Sequence, residues 1–292
     1  MREVGLCGAG VMGRAAIERL VQAGCKVTCF EVNAAARAAA EKLGAAATNA
    51  PAAVADTVDT VLLFLPGPAE VSLCVRGPDG LLSGSSAPSV IVDMSTVDPG
   101  TSTALALEAG KRGVGYLDAP VLGRPASVGR WALPVGGETV DLEKTRPVLD
   151  TLAQKIFHVG GPGSGNRIKL LNQLMFGAIN AMTAEMTAIA AKCGVSPKLM
   201  FETITASEAA TVSNLFKELG KRIAENRYAD PTFTVDLLVK DVHLAVQMAN
   251  DNNAPPLLGR VVDYINASAR AQGYGGSDTS EMWKLFEKAW KI

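Results

Sequence analysis

Histidine is nearly absent: only His158 and His243 occur in 292 residues. That scarcity argues against a histidine-based triad or a zinc centre. The five cysteines, Cys7, Cys25, Cys29, Cys74 and Cys193, show no C-x-x-C or Cys/His metal spacing. They are odd in number and lie mostly in apolar runs, so they read as reduced core residues of a cytoplasmic protein. A formal charge of −1 supplies no field to attract nucleic acid or an anionic membrane. Met1-Arg2-Glu3 runs straight into an apolar strand, so no secretory leader is expected. Internal repeats and heptad runs are missing too. What is present is a globular balance, 48% hydrophobic and 20% charged residues, over a length that suggests two domains.

The chain is organised around Gly163–Gly194, which reads as one helix of about 26 residues and about 40 Å. At 100° per residue, Lys169, Asn172, Gln173, Asn180, Thr183 and Thr187 share one narrow stripe. The rest of the circumference is mostly Ile, Leu, Met and Ala, which predicts a helix buried on nearly all sides. Its charge-free part, Leu170 to Ala184, is too short and too polar for a membrane span. A lysine near a helix end ordinarily snorkels into water; what precedes this helix favours chemistry instead.

An apolar strand, Val4–Cys7, meets Gly8-Ala9-Gly10-Val11-Met12-Gly13 and then a helix over about 11–23. This is G-x-G-x-x-G in its required setting between strand and helix. Gly8 makes the turn, Gly10 leaves room for a pyrophosphate, and Gly13 lets helix and strand pack closely. The helix N-terminus through Val11 and Met12 offers N–H groups to phosphates. A second strand, Lys26–Glu31, ends in a carboxylate 23 positions after Gly8. Glu31, with Asn33 beside it, is placed to accept from the ribose hydroxyls of NAD and to repel the 2′-phosphate of NADP; Arg37 nearby leaves NADP possible.

Continuous apolar strands at Thr60–Leu65 and Val90–Met94 belong to a doubly wound parallel sheet covered on both faces. Leu65-Pro66 and Ser95-Thr96 follow strand C-termini, where such sheets bind ligands. Strands at Gly115–Pro120, Ala132–Gly136 and Lys155–Val159, with a helix over 143–153, lead to the glycine-rich elbow 160–165. Beyond it every long segment reads as helical: about 166–193, 197–206, 211–225, 234–251, 255–272 and 278–289. The expected organisation is an α/β domain over 1–162 and an all-helical domain over 163–292, joined by the long helix.

A nicotinamide enzyme oxidising an alcohol needs a group to take the hydroxyl proton, donors for the oxygen, and commonly an anion site. Lys169 meets the first need, and desolvation on a buried helix is expected to lower its pKa. Asn172, one turn on, can hold the substrate oxygen or the ammonium. Asp118-Ala119-Pro120-Val121-Leu122-Gly123-Arg124 supplies a strand end and a loop whose N–H groups and arginine can clamp a carboxylate.

Four stretches carry a resemblance: Gly8 to Gly13, Asp118-Ala119-Pro120-Val121 with Gly123, Gly165-x-x-x-Lys169-x-x-Asn172, and Lys240-Asp241-Val242. In this order they resemble the β-hydroxyacid dehydrogenases, a group that includes 3-hydroxyisobutyrate dehydrogenase and tartronate semialdehyde reductase. The resemblance covers essentially the whole chain. It implies an N-terminal Rossmann domain, a helical C-terminal domain resembling that of 6-phosphogluconate dehydrogenase, and a homodimer or homotetramer built on the helical half. It implies Lys169 as the proton donor and acceptor with Asn172 beside it, Thr96 near the nicotinamide, and Phe233 and Lys240 closing the site. For Lys240 the plainer reading is an i,i+1 charge pair on a solvated face. Ser95, Leu122, Gly123, Arg124 and Asn172 would hold a small anionic substrate.

The departure lies in that loop. Relatives acting on small hydroxy acids usually read Pro-Val-Ser-Gly-Gly, where this chain has Pro120-Val121-Leu122-Gly123-Arg124-Pro125. A neutral hydroxyl donor is lost, a charged fork is gained, and Pro125 removes one backbone N–H. This change fits a substrate with a second carboxylate or a sulfonate. Trp131, where a smaller residue is usual, points to an altered pocket shape. Imine reduction on the same fold is a second expectation, disfavoured by Lys169 and Asn172; a non-catalytic dinucleotide-binding module is a third, disfavoured by Lys169.

Overall fold

The structure, a computed structural model, describes residues 2–206 and 213–292. The chain divides into two compact units, Met1–Lys169 and Leu170–Ile292.

The first unit is an eight-stranded sheet: β1 (Glu3–Cys7), β2 (Lys26–Phe30), β3 (Ala46–Thr48), β4 (Thr60–Leu63), β5 (Val90–Asp93), β6 (Gly115–Asp118), β7 (Trp131–Gly136) and β8 (Ala153–Gly160). Their spatial order is β3-β2-β1-β4-β5-β6-β7-β8. The first six run parallel, with Leu6 opposite Cys29 and Leu62, and Asp93 opposite Asp118. β7 reverses direction at the Asp118–Gly136 pair, and β8 runs parallel to β7. Helices cover both faces, as the unbroken Val/Ile/Leu strands require. Ile17 and Leu20 of α1 (Val11–Gln22) and Leu149 of α6 (Thr139–Leu152) join one core with Leu6, Val92 and Trp131. Val71 and Val75 of α4 (Pro68–Arg76) and Leu105 of α5 (Pro99–Gly110) join the other, with Leu63, Ile91 and Tyr116. Two short helices, α2 (Ala34–Lys42) and α3 (Pro51–Ala55), flank β3. Sequence pattern missed β3, three residues in an alanine-rich stretch too short to display a period. Four cysteines are buried, as expected, but Cys193 is exposed.

The second unit is helical. The long helix α7 (Ser164–Lys192) runs through the division between the units and is followed by α8 (Pro197–Thr205), α9 (Asn214–Ala224), α10 (Val235–Asp251), α11 (Leu257–Ala269) and α12 (Trp283–Trp290). The expected helix over 211–225 begins, among the described residues, at Asn214, with the Ser213 hydroxyl accepting from the Phe216 N–H; positions 211 and 212 lie outside them. The helix expected over 255–272 stops at Ala269 because a wider turn, Arg270–Tyr274, follows and Gly273 adopts φ +96°.

α7 corrects one expectation. It is not buried all round: Ile168, Leu171, Met175, Met182 and Ile189 are exposed, while Gln173, Asn180, Thr183 and Thr187 are buried. Each of these buried residues makes at least one hydrogen bond, which is what permits the inversion, although the Asn180 side-chain oxygen is left without a partner among the described residues. Asn180 donates to the Thr279 carbonyl at 3.1 Å, and the two threonine hydroxyls return to carbonyls one turn back. Gly177, Ala181, Ala184 and Ala188 give close approach on the same side. By length and composition α7 would pass for a membrane span, but buried amides and hydroxyls on its covered side mark a core helix.

Candidate active site

The glycine loop leaves β1 with Gly8 at φ +96°, its N–H donating to the Phe30 carbonyl at 2.9 Å. A Cβ on Gly13 would run into the Gly8 carbonyl oxygen, so α1 reaches its place against the turn only with glycine there. Gly10, by contrast, faces open space: a Cβ there meets nothing within 4 Å. α1 starts at this point without a side-chain cap and without a carboxylate in its first turn, while Val11 is exposed and Met12 packs on the core. An uncapped helix start beside an open glycine fits the pyrophosphate of a dinucleotide. Glu31 follows β2, and its two oxygens accept from the Ala9 N–H at 2.7 Å and the Asn33 N–H at 2.8 Å. The carboxylate is thus tied to the glycine loop itself, next to the phosphate seat. Asn33 caps α2 through its side chain, which accepts from the Ala36 N–H.

Leu65 and Ser95 are brought together by the Leu65 N–H, which donates to the Ser95 hydroxyl at 2.9 Å. Ser95 is buried and its N–H donates to Asp93, so this serine joins two strand-end loops instead of presenting its hydroxyl at the surface. Thr96 is half-buried and Pro66 exposed. Asp93, beneath them, also accepts from the Tyr116 hydroxyl at 2.9 Å. Burial pushes its pKa up to about 6; the Ser95 and Tyr116 hydroxyls and the Ser95 N–H oppose this, and the neighbouring Asp118 adds to it.

Asp118 ends β6 fully buried and receives the start of α7. Its oxygens accept from the Gly163 and Asn166 N–H groups, both at 2.7 Å. Burial raises its pKa to about 6 against those same two donors. Gly165 is required here because a Cβ would collide with the Asp118 and Pro134 carbonyl oxygens. Asn166, fully buried, accepts from the Val97 N–H and donates to the Ser102 hydroxyl. Neither capping role was foreseen from the sequence; a carboxylate at a strand end followed by a glycine elbow was the available signal.

One turn along α7, half-buried Lys169 donates from Nζ to the Val121 carbonyl at 2.8 Å. The loop 122–124 therefore follows the lysine's anchor directly. Leu122 exchanges two hydrogen bonds with Ala132. Arg124 has its N–H on the Ser127 hydroxyl at 3.1 Å, and its carbonyl accepts from that hydroxyl and from the Trp131 indole, both at 2.9 Å. The expectation that backbone N–H groups of this loop clamp an anion is thereby narrowed: those of Leu122 and Arg124 are consumed internally and Pro125 has none, while that of Gly123 lies between them. Trp131 lies beneath this loop. It is fully buried against Phe64, ring centroids 6.2 Å apart, so any effect on the site reaches it through the loop above.

In the second unit, Asn172 is exposed and donates to Gln173 at 3.2 Å; Gln173 donates in turn to the buried carboxylate of Asp241. Lys240 pairs with the other Asp241 oxygen at 2.8 Å. The i,i+1 charge pair exists, but with its acid buried and shared it is no solvated-face pair. Phe233 meets Phe176 edge-on, centroids 5.5 Å apart. Metal-ligating clusters of three or more His, Cys, Asp or Glu are absent among the described residues.

Comparison with known proteins agrees along the whole chain. Residues 3–160 match the NAD binding domain of 6-phosphogluconate dehydrogenase, and 163–286 the NAD-binding domain of NADP-dependent 3-hydroxyisobutyrate dehydrogenase. A 2-(hydroxymethyl)glutarate dehydrogenase of Eubacterium barkeri is 33% identical over 98% of this chain and 95% of its own. A 3-sulfolactaldehyde reductase of Escherichia coli K12 is 30% identical over 96% and 94%. The crystal structure of a 3-hydroxyisobutyrate dehydrogenase from Salmonella typhimurium superposes with a TM-score of 0.90 at 26% identity, covering 98% of this chain and 100% of that one.

Proposed function

The chain belongs to the β-hydroxyacid dehydrogenases and is an NAD(P)-dependent oxidoreductase of CH–OH groups; on that footing we propose that it interconverts a β-hydroxy acid carrying a second anionic group and the matching semialdehyde. The observation that carries the reading is the Lys169 amine, fixed on the Val121 carbonyl immediately before Leu122-Gly123-Arg124. Lys169 takes the hydroxyl proton in oxidation and returns it to the carbonyl oxygen in reduction, while the cofactor exchanges the hydride. Asn172, one turn on, orients the oxygen. Arg124 supplies a bidentate fork for the remote anion in place of the missing serine. The relatives' names support that choice: glutarate carries two carboxylates, and sulfolactaldehyde a sulfonate.

Gly8, Gly10, Val11, Met12 and Gly13 hold the pyrophosphate; Glu31 and Asn33 hold the adenosine ribose and favour NAD. Leu65, Pro66 and Thr96 border the nicotinamide side. Ser95 acts here by joining the two loops. The functional division falls at the elbow, 1–162 for cofactor and 163–292 for substrate and assembly. Exposed apolar residues on α7 and on α11, where Leu257, Leu258, Val261 and Tyr264 face outward, support a homodimer or homotetramer in the cytoplasm.

The test is NAD reduction with 2-(hydroxymethyl)glutarate and 3-hydroxyisobutyrate, which differ by a terminal carboxymethyl extension. Lys169→Ala should lower kcat about 1,000-fold with either acid while NADH still binds. Near-normal turnover would remove Lys169 from the mechanism.

A further inference from the structure

Arg124 is held in an unusual way for a surface-loop arginine. Its carbonyl accepts three donors: the Ser127 N–H at 3.0 Å, the Ser127 hydroxyl at 2.9 Å and the Trp131 indole N–H at 2.9 Å. Its N–H is spent on the same hydroxyl at 3.1 Å. The residue two before it is pinned on both backbone groups to Ala132, next to Trp131 in β7. Gly123, between the two, lies so close to the indole that a Cβ there would strike its ring. Trp131 is itself immobile, fully buried in the core beside Phe64. The backbone of Arg124 thus stands on a post rooted in the sheet, and Pro125, with its φ fixed, begins the 3₁₀ turn Pro125–Ser127 that carries the hydroxyl.

We propose that Ser127 and Trp131 are positioning residues that set the substrate preference: by tying the Arg124 backbone they remove its N–H from anion binding and aim its guanidinium, so that the loop favours a β-hydroxy acid with a second anionic group over one with a single carboxylate. The physical reason is entropic as well as geometric. An arginine on a free loop must order its backbone when it grips an anion, whereas one whose backbone is already fixed is spared that cost. A consumed N–H also offers nothing to the single carboxylate that a smaller hydroxy acid presents. This inference rests on the reading of Arg124 given above, and the experiment separates the two.

The readout is the ratio of kcat/KM for 2-(hydroxymethyl)glutarate to that for 3-hydroxyisobutyrate, with NAD. Ser127→Ala removes both hydroxyl bonds, and Trp131→Phe removes the indole bond while filling most of the core site. Each should lower the ratio about fivefold, chiefly through a higher KM for the dianion, and Ser127→Thr should restore it. In an Arg124→Ala background, Ser127→Ala should change the ratio no further, the signature of two residues acting as one unit. An unchanged ratio in both single variants, or a full additional fall in the Arg124→Ala background, overturns the positioning role. If Arg124→Ala alone leaves the ratio intact, or neither acid is turned over with NAD or NADP, the substrate reading falls and this inference with it.

Discussion

Between Gly8 and Gly13 the chain keeps its backbone open: the helix start is uncapped, Gly10 faces empty space, and the one side chain tied to the loop is a carboxylate. Between Leu122 and Trp131 it does the reverse, closing backbone groups on each other, on a serine and on an indole. The contrast matches what each ligand requires. A pyrophosphate is common to every turnover and is met by main-chain N–H groups that any sequence supplies. A substrate has to be told from its homologues, and on the reading proposed above that discrimination falls to the Arg124 side chain, whose backbone has been taken out of play. A second asymmetry follows: the open loop has a partly exposed carboxylate beside it, whereas the ends of β5 and β6 carry two fully buried ones, Asp93 and Asp118.

The largest effect expected from this comparison concerns those buried acids. Asp93 has a folded-state pKa of about 6 against an ordinary value of 3.8, so folding favours its neutral form. Its contribution to stability is fully present below pH 3.8 and is lost as pH rises through 6. Relative to Asp93→Asn, which cannot ionise, the wild type should therefore lose about 3 kcal/mol between pH 3 and pH 8. Urea midpoints at the two pH values measure it, and a pH-independent difference would mean that Asp93 ionises without penalty. Next in size, Gly10→Val should weaken NADH binding about 100-fold while Tm barely moves, because the added side chain fills space reserved for phosphate. Unaltered NADH affinity by fluorescence titration would place the phosphates elsewhere. Arg124→Ala should raise KM for 2-(hydroxymethyl)glutarate about 30-fold and that for 3-hydroxyisobutyrate far less; equal changes would erase the contrast between the loops. The smallest effect is on cofactor choice. Glu31→Ala should narrow the preference for NAD over NADP about tenfold, and a constant ratio of the two kcat/KM values would show that another group reads the ribose.

Much of the architecture was legible because it is written in local pattern. The glycine loop, the apolar parallel strands and the elbow before a 29-residue helix all show in consecutive residues, and so does the spacing of Lys169 and Asn172. What escaped depends on partners distant in sequence. Asp118 reads simply as the strand end before a loop, yet it caps a helix that starts more than 40 residues later. Trp131 reads as a sign of altered pocket shape, but pattern does not reveal which face of a six-residue strand a large ring takes, and its indole bond to the Arg124 carbonyl is hidden. The polar stripe of α7 looked like an interruption of a buried surface, and its larger part, Gln173, Asn180, Thr183 and Thr187, turned out to lie on the covered face while Asn172 is exposed. Hydrophobic periodicity locates a boundary between two faces without saying which is covered, and pairs such as Gln173 with Asp241 decide the matter.

The four residues from Asp118 to Val121 act as a gauge block. Asp118 grips the first turn of α7 through two N–H groups, and three residues later the Val121 carbonyl meets the amine of Lys169. The reach from one grip to the other is set by the contour of that short stretch, so adding or deleting a single residue within it would offset the amine by about 3.5 Å, the length of one peptide unit. Length variation that retunes specificity is thus confined to the segment after Arg124, and libraries built to shift substrate range belong at 125–130, with the gauge left untouched.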